Sequence, residues 1–62
     1  MIRIYDSKKY GRVEFRNAML DLDDTNLEEG IEITFDDGTT DEVYGYYDLA
    51  EQTEKQLEKL LN

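Results

Sequence analysis

The residues of this chain best equipped for chemistry are carboxylates. Asp21, Asp23 and Asp24 follow the apolar pair Met19 and Leu20, with Thr25 immediately after them. Two carboxylates two positions apart at the end of a strand can serve as nucleophile and general acid/base, or can share a hard divalent cation. Asp21, Asp23, Thr25, Glu29 and Glu32 also fall at positions 1, 3, 5, 9 and 12 of a calcium-binding loop. Asn26 stands where that loop requires glycine, a replacement that the left-handed backbone tolerates. Against this, Glu28 fills a position that is ordinarily apolar, and strand patterns rather than helical ones flank the stretch. The chain has no cysteine and no histidine, so no thiolate or imidazole metal site and no disulfide can form. A solvated acidic loop accounts for the stretch more simply than a cation site, and no metal or other cofactor is expected.

The run from Met19 to Thr25 nevertheless resembles the first motif of the haloacid dehalogenase family, Asp-x-Asp-x-Thr at the end of an apolar strand. The resemblance implies Asp21 as nucleophile, Asp23 as acid/base, Thr25 as their hydroxyl partner, and Mg²⁺-dependent phosphotransfer on a doubly wound parallel sheet. Such chemistry needs a preorganised cradle for the phosphoryl oxygens, and no glycine-rich loop followed by lysine is present. At 62 residues the chain is also too short for that fold and its further motifs. No enzyme is expected.

Charge is distributed unevenly. Residues 1–20 carry five basic groups (Arg3, Lys8, Lys9, Arg12 and Arg16) and two acidic ones, whereas residues 21–54 carry thirteen acids and no Lys or Arg. The net charge is −9. A block of one sign points to a cationic partner. Tyr44, Tyr46 and Tyr47, with Tyr5 and Tyr10, could stack nucleic-acid bases, but the later three are embedded among acids that would repel phosphate. Tyr44 and Tyr46 instead suit a protein interface. By size and composition the chain resembles the small acidic phage and mobile-element inhibitors of host defence, the DNA mimics and anti-CRISPR proteins. That resemblance implies a non-enzymatic inhibitor that occupies the nucleic-acid site of a basic protein such as an RNA-guided nuclease. The residues assigned to it are Asp21, Asp23, Asp24, Glu28, Glu29, Asp36, Asp37, Asp41, Glu42, Tyr44 and Tyr46.

The elements that must carry these groups are legible as patterns. Ile31, Ile33 and Phe35 alternate with polar residues, the period of a strand with one buried face. A turn at Asp37-Gly38 follows. A two-residue loop would leave Val43 on the polar face, while a three-residue loop, Asp36 to Gly38, pairs Ile31 with Val43 and Phe35 with Thr39. The second register is therefore expected, with Asp41 awkwardly opposite Ile33 at an edge or in a longer loop. Met1 to Asp6 reads as a strand with Ile2 and Ile4 inward and Arg3 and Tyr5 outward. Arg12 to Leu20 reads as another, with a bulge near Asn17 where the apolar phase shifts from Val13 and Phe15 to Ala18 and Leu20. Residues 21–30 form an acidic connection. Asp48 to Glu51 matches a capping box, so a helix is expected from Leu49 to Leu61, supported by a Glu51–Lys55 pair.

The expected fold is one α+β domain over residues 1–62: a four-stranded antiparallel sheet followed by one C-terminal helix on its apolar face. A domain this small buries only about 60 % of its unfolded surface, so self-association is expected as well. No apolar run approaches the ~20 residues of a membrane span, and a cytoplasmic protein, in a host cell if phage-encoded, is expected. The order β-β-β-β-α also resembles the Whirly-type single-strand-binding fold. That alternative implies an oligomeric nucleic-acid-binding or structural module, although the acidic block argues against direct nucleic-acid binding.

Overall fold

The alternation of Ile31, Ile33 and Phe35 places them in the strand that the sheet is built around. The structure, a computed structural model, describes residues 1–23 and 25–61. Its elements are β1 (Ile2–Ser7), β2 (Gly11–Asp21), β3 (Leu27–Phe35), β4 (Thr40–Tyr44) and one helix, α1 (Glu54–Leu60). The strands form one antiparallel sheet in the order β1-β2-β3-β4, and α1 lies across one face. This is the α+β architecture expected from the sequence.

The β3–β4 hairpin takes the register that parity selects. Ile31 pairs with Val43 and Ile33 with Asp41. Gly38 N donates to Phe35 O at 2.9 Å and Phe35 N to Thr39 O at 2.8 Å, closing a three-residue loop. Gly38 sits at φ +88°, where a side chain would be strained. Asp41 is tolerated opposite Ile33 because β4 is an outermost strand and its carboxylate stays in water.

Three expectations about the strands are corrected. The β2–β3 register runs unbroken from Val13–Phe35 to Asp21–Leu27, so there is no bulge near Asn17. The apolar phase shift has another cause: Leu20 lies on the face away from α1 and is covered there, 3 % exposed, because Gly30 leaves room for it. A Cβ at Gly30 would collide with Leu20 Cδ1 and stand 2.6 Å from Val43 O. The acidic connection is correspondingly short, since β3 already begins at Leu27. Third, β1 presents the opposite face. Ile2 and Ile4 are 57 % and 52 % exposed, and Arg3 and Tyr5 turn toward α1. Their cross-strand partners Phe15 and Val13 fix that face, because residues opposite each other project to the same side. Arg3 Nη1 donates to Leu49 O (2.6 Å) and Gln52 O (2.9 Å), so its polar end is satisfied beside the core.

The helix is shorter than expected and differently capped. Asp48 holds a single turn instead, with Oδ1 accepting from Ala50 N at 3.1 Å and its carbonyl from Glu51 N at 3.0 Å. That turn buries Leu49 completely. The capping box belongs to Thr53 and Gln56: Thr53 Oγ1 accepts from Gln56 N at 3.2 Å, and Gln56 Oε1 from Thr53 N at 2.8 Å. Glu51 therefore precedes the helix and cannot make the helical pair with Lys55. Val13, Phe15, Ile31, Ile33, Leu49, Leu57 and Leu61 form the core, ringed by Tyr5, Phe35, Val43, Tyr47 and Leu60.

Candidate functional site

The acidic residues singled out by the sequence are carried by β3, β4 and the turns at their ends. β3 spans nine residues, roughly 30 Å of extended chain, and separates two groups. At one end lie Asp21, Asp23, Glu28 and Glu29; at the other lie Asp36 and Asp37, in a hollow lined also by Tyr10, Phe35 and Thr39. Asp41 and Glu42 connect them along the outer strand. The ten described residues of the set are thus a ribbon down one side of the sheet, not one patch; Asp24 lies outside the described residues.

Alternation divides the ribbon between the two faces. Glu28, Glu42 and Tyr44 share the face away from α1 with Glu32, whereas Glu29 and Asp41 project to the helix side. Tyr44 pairs with Gly30, and its hydroxyl donates to Asp21 O at 3.3 Å across the space that glycine leaves. After β4, Gly45 at φ +114° redirects the chain, its N–H donating to Glu29 O at 3.0 Å. Tyr46 then lines a hollow with Asn17, Ala18, Met19, Glu29 and Gly30. Tyr44 and Tyr46 are 44 % and 67 % exposed.

The acids differ in what they already hold. Asp23 accepts from Thr25 N (2.9 Å), Thr25 Oγ1 (3.0 Å) and Asn26 N (3.0 Å). Those bonds, led by the Thr25 amide, hold its carboxyl below the usual carboxylate range. Asp37 is held down likewise by the Thr39 hydroxyl at 2.7 Å and the Thr39 amide at 2.9 Å. Asp41 Oδ1 accepts from Glu42 N at 2.8 Å. Among the described residues, Asp36, Glu28, Glu29 and Glu42 have no side-chain hydrogen bond and no ion pair, and their carboxylates are open to a partner. Arg16 is engaged elsewhere, its guanidinium donating to Glu32 Oε1 from Nη2 at 2.8 Å and from Nε at 3.1 Å.

Neither motif pattern read in residues 21–32 takes the geometry that its resemblance implies. Asp21 ends a strand of an antiparallel meander, not of the doubly wound parallel sheet that the dehalogenase resemblance implies. Asp23 is engaged as the acceptor of the turn closed by the Thr25 and Asn26 amides. Glu29 and Glu32, two ligands of the calcium pattern, project from opposite faces of β3. Among the described residues no three acids converge on a point where a metal ion could sit, and no helix is long and apolar enough to cross a membrane.

One polar site escaped the sequence reading. Glu58 on α1 accepts from Tyr5 Oη (2.8 Å), Ser7 Oγ (3.0 Å) and Lys8 N (3.3 Å). Ser7 is buried, and its Oγ also accepts from the Lys9 and Tyr10 amides, both at 3.2 Å. A serine opening a polar turn is the available local signal; nothing local announces the distant glutamate. Compared with family models, curated proteins and solved structures, the chain matches none.

Proposed function

We propose that the chain is a non-enzymatic ligand of a basic, nucleic-acid-handling protein, such as an RNA-guided nuclease, and blocks its nucleic-acid site. The observation that supports this most directly is the set of open carboxylates along the β3–β4 side, Glu28, Glu29, Asp36 and Glu42, with the exposed Tyr44 and Tyr46 beside them. Glu28 and Glu42 share the face away from α1, and exposed carboxylates so placed can meet arginines and lysines that ordinarily hold phosphates. The tyrosines supply apolar contact area that excludes water from those pairs.

The test is plasmid protection from an RNA-guided nuclease in vitro, compared with a Glu28→Lys, Asp36→Lys, Glu42→Lys variant. None of the three side chains holds another residue among those described, so the variant should fold. The expected outcome is protection by the native chain and association slowed ~10-fold or more by the reversal, with a steep salt dependence lost. Protection that persists in the triple variant would remove the electrostatic mechanism. Direct, tight binding of single-stranded DNA by the free chain would favour the oligomeric nucleic-acid-binding alternative.

A further inference from the structure

The two outer strands of this sheet are finished very differently. In an antiparallel sheet the backbone groups of successive residues point alternately to one neighbouring strand and the other. Phe35 N donates to Thr39 O, so Phe35 faces β4. Its partner Val13 therefore faces β1, and Tyr5, opposite Val13, faces β2. By alternation Ile2, Ile4 and Asp6 direct their N–H and C=O groups away from the sheet. β1 thus offers a six-residue edge without proline, with the exposed side chains of Ile2 and Ile4 on its outer face. Such an edge is a template for another strand. On β4 the outward residues include Glu42, whose N–H is already taken by Asp41 Oδ1 at 2.8 Å, and both side chains are charged. That edge is guarded, and β1 is not.

We propose that β1 pairs antiparallel with β1 of a second copy about a two-fold axis at Ile4, joining two four-stranded sheets into one continuous sheet. A two-fold normal to the sheet keeps the outer faces together, so the outward-directed residues pair among themselves. Centred on Ile4, the register sets Ile4 opposite the partner's Ile4 and Ile2 opposite the partner's Asp6. All three outward residues then exchange backbone hydrogen bonds, and the isoleucines that the monomer's core leaves out are covered. Charge selects this occupant over another arrangement of the same chains. Most of the described acids of residues 21–54 lie on β3, β4, the turns beside them and the segment crossing to α1, remote from β1 or on its other face. Pairing through β1 therefore sends the two acidic edges to opposite ends of the joint sheet. Pairing of β1 with β4 would instead set Ile2 and Ile4 beside Glu42 and propagate without closing.

The proposal is independent of what the acidic edge binds and is tested without that partner. Light scattering should give twice the chain mass of 7.3 kDa across micromolar to millimolar concentration. Ile4→Lys, which opposes two ammonium groups across the axis, should halve that mass while keeping the native circular dichroism spectrum. The chain has no cysteine, so Ile4→Cys gives a unique thiol. Hydrogen-bonded pairs stand about 5.5 Å apart at Cα, within disulfide reach, and mild oxidation should link two copies through it. Glu42→Cys, on the guarded edge, should link far more slowly. A monomer mass for the native chain, a mass that climbs without limit, an unchanged mass for Ile4→Lys, or equal cross-linking of the two cysteine variants would each overturn the pairing.

Discussion

Tyr5, Ser7 and the Lys8 amide all deliver hydrogen bonds to one carboxylate, that of Glu58, and thereby pin α1 to β1. The Tyr5 hydroxyl is the main cause holding the Glu58 carboxyl below the usual range, with Ser7 and Lys8 adding to it. The same bond, with desolvation and nearby Glu58 and Glu54 charge, raises the Tyr5 phenol. The signs of the two shifts bound a pH window. A lowered carboxyl contributes stability that is present above its unfolded pKa and lost as pH falls through its folded value. Asp23 and Asp37, lowered by their turns, act in the same direction. A raised phenol contributes stability below its unfolded pKa that is lost as pH rises through the folded one. Melting temperature should therefore fall on both the acid and the strongly alkaline side. Glu58→Gln, which keeps an acceptor but not a titrating charge, should lower the neutral-pH plateau and flatten both limbs. Thermal melts across pH check this, and superimposable profiles for the two chains would reject the Glu58 tie.

At the scale of elements, the sequence carried the strand periods and the hairpin parity, because each is a local rule with one buried face to satisfy. Which face of β1 is buried was not legible. The alternation of Ile2 and Ile4 with Arg3 and Tyr5 is equally good either way up, and the choice rests on partners 46 to 53 residues away. The helix start was misplaced because two polar boxes compete, and only Thr53-x-x-Gln56 is followed by a continuing helix; Asp48 spends its capping bonds on one turn. The open acids of the candidate site were visible as residue types, but their division between two faces of the sheet depends on register. Thr53→Ala should cost about 1 kcal/mol, the usual loss for an N-cap, measured by urea denaturation. Gly30→Ala should cost about 1–3 kcal/mol, since Leu20 and the Val43 carbonyl occupy the space a Cβ needs. Adding Leu20→Ala should recover part of that loss relative to Leu20→Ala alone, because only the backbone clash remains. Strictly additive costs would mean that the two residues do not share the space.

Over the whole molecule, charge and fold are set against each other. Folding brings most of the described acids of residues 21–54 onto β3, β4 and the turns beside them, while most of the bases collect on β1, β2 and the turn between them. In a domain of this size the core leaves little margin, so self-repulsion on the acidic side is felt in stability. Salt screens charges on a scale of about 10 Å at 0.1 M, and the melting temperature should rise as ionic strength is increased from low values. By the same reasoning, Glu28→Lys, Asp36→Lys and Glu42→Lys together should stabilise the fold. They reduce a net charge of −9 and remove no hydrogen bond among the described residues. If the acidic side exists for a partner, this variant should melt higher, lose the salt response and bind a basic protein more weakly. Stability would then rise where function is lost, the pattern expected of a surface kept for binding. A variant that melts lower than the native chain would show instead that these carboxylates serve the fold, and the case for a binding edge would fall with it.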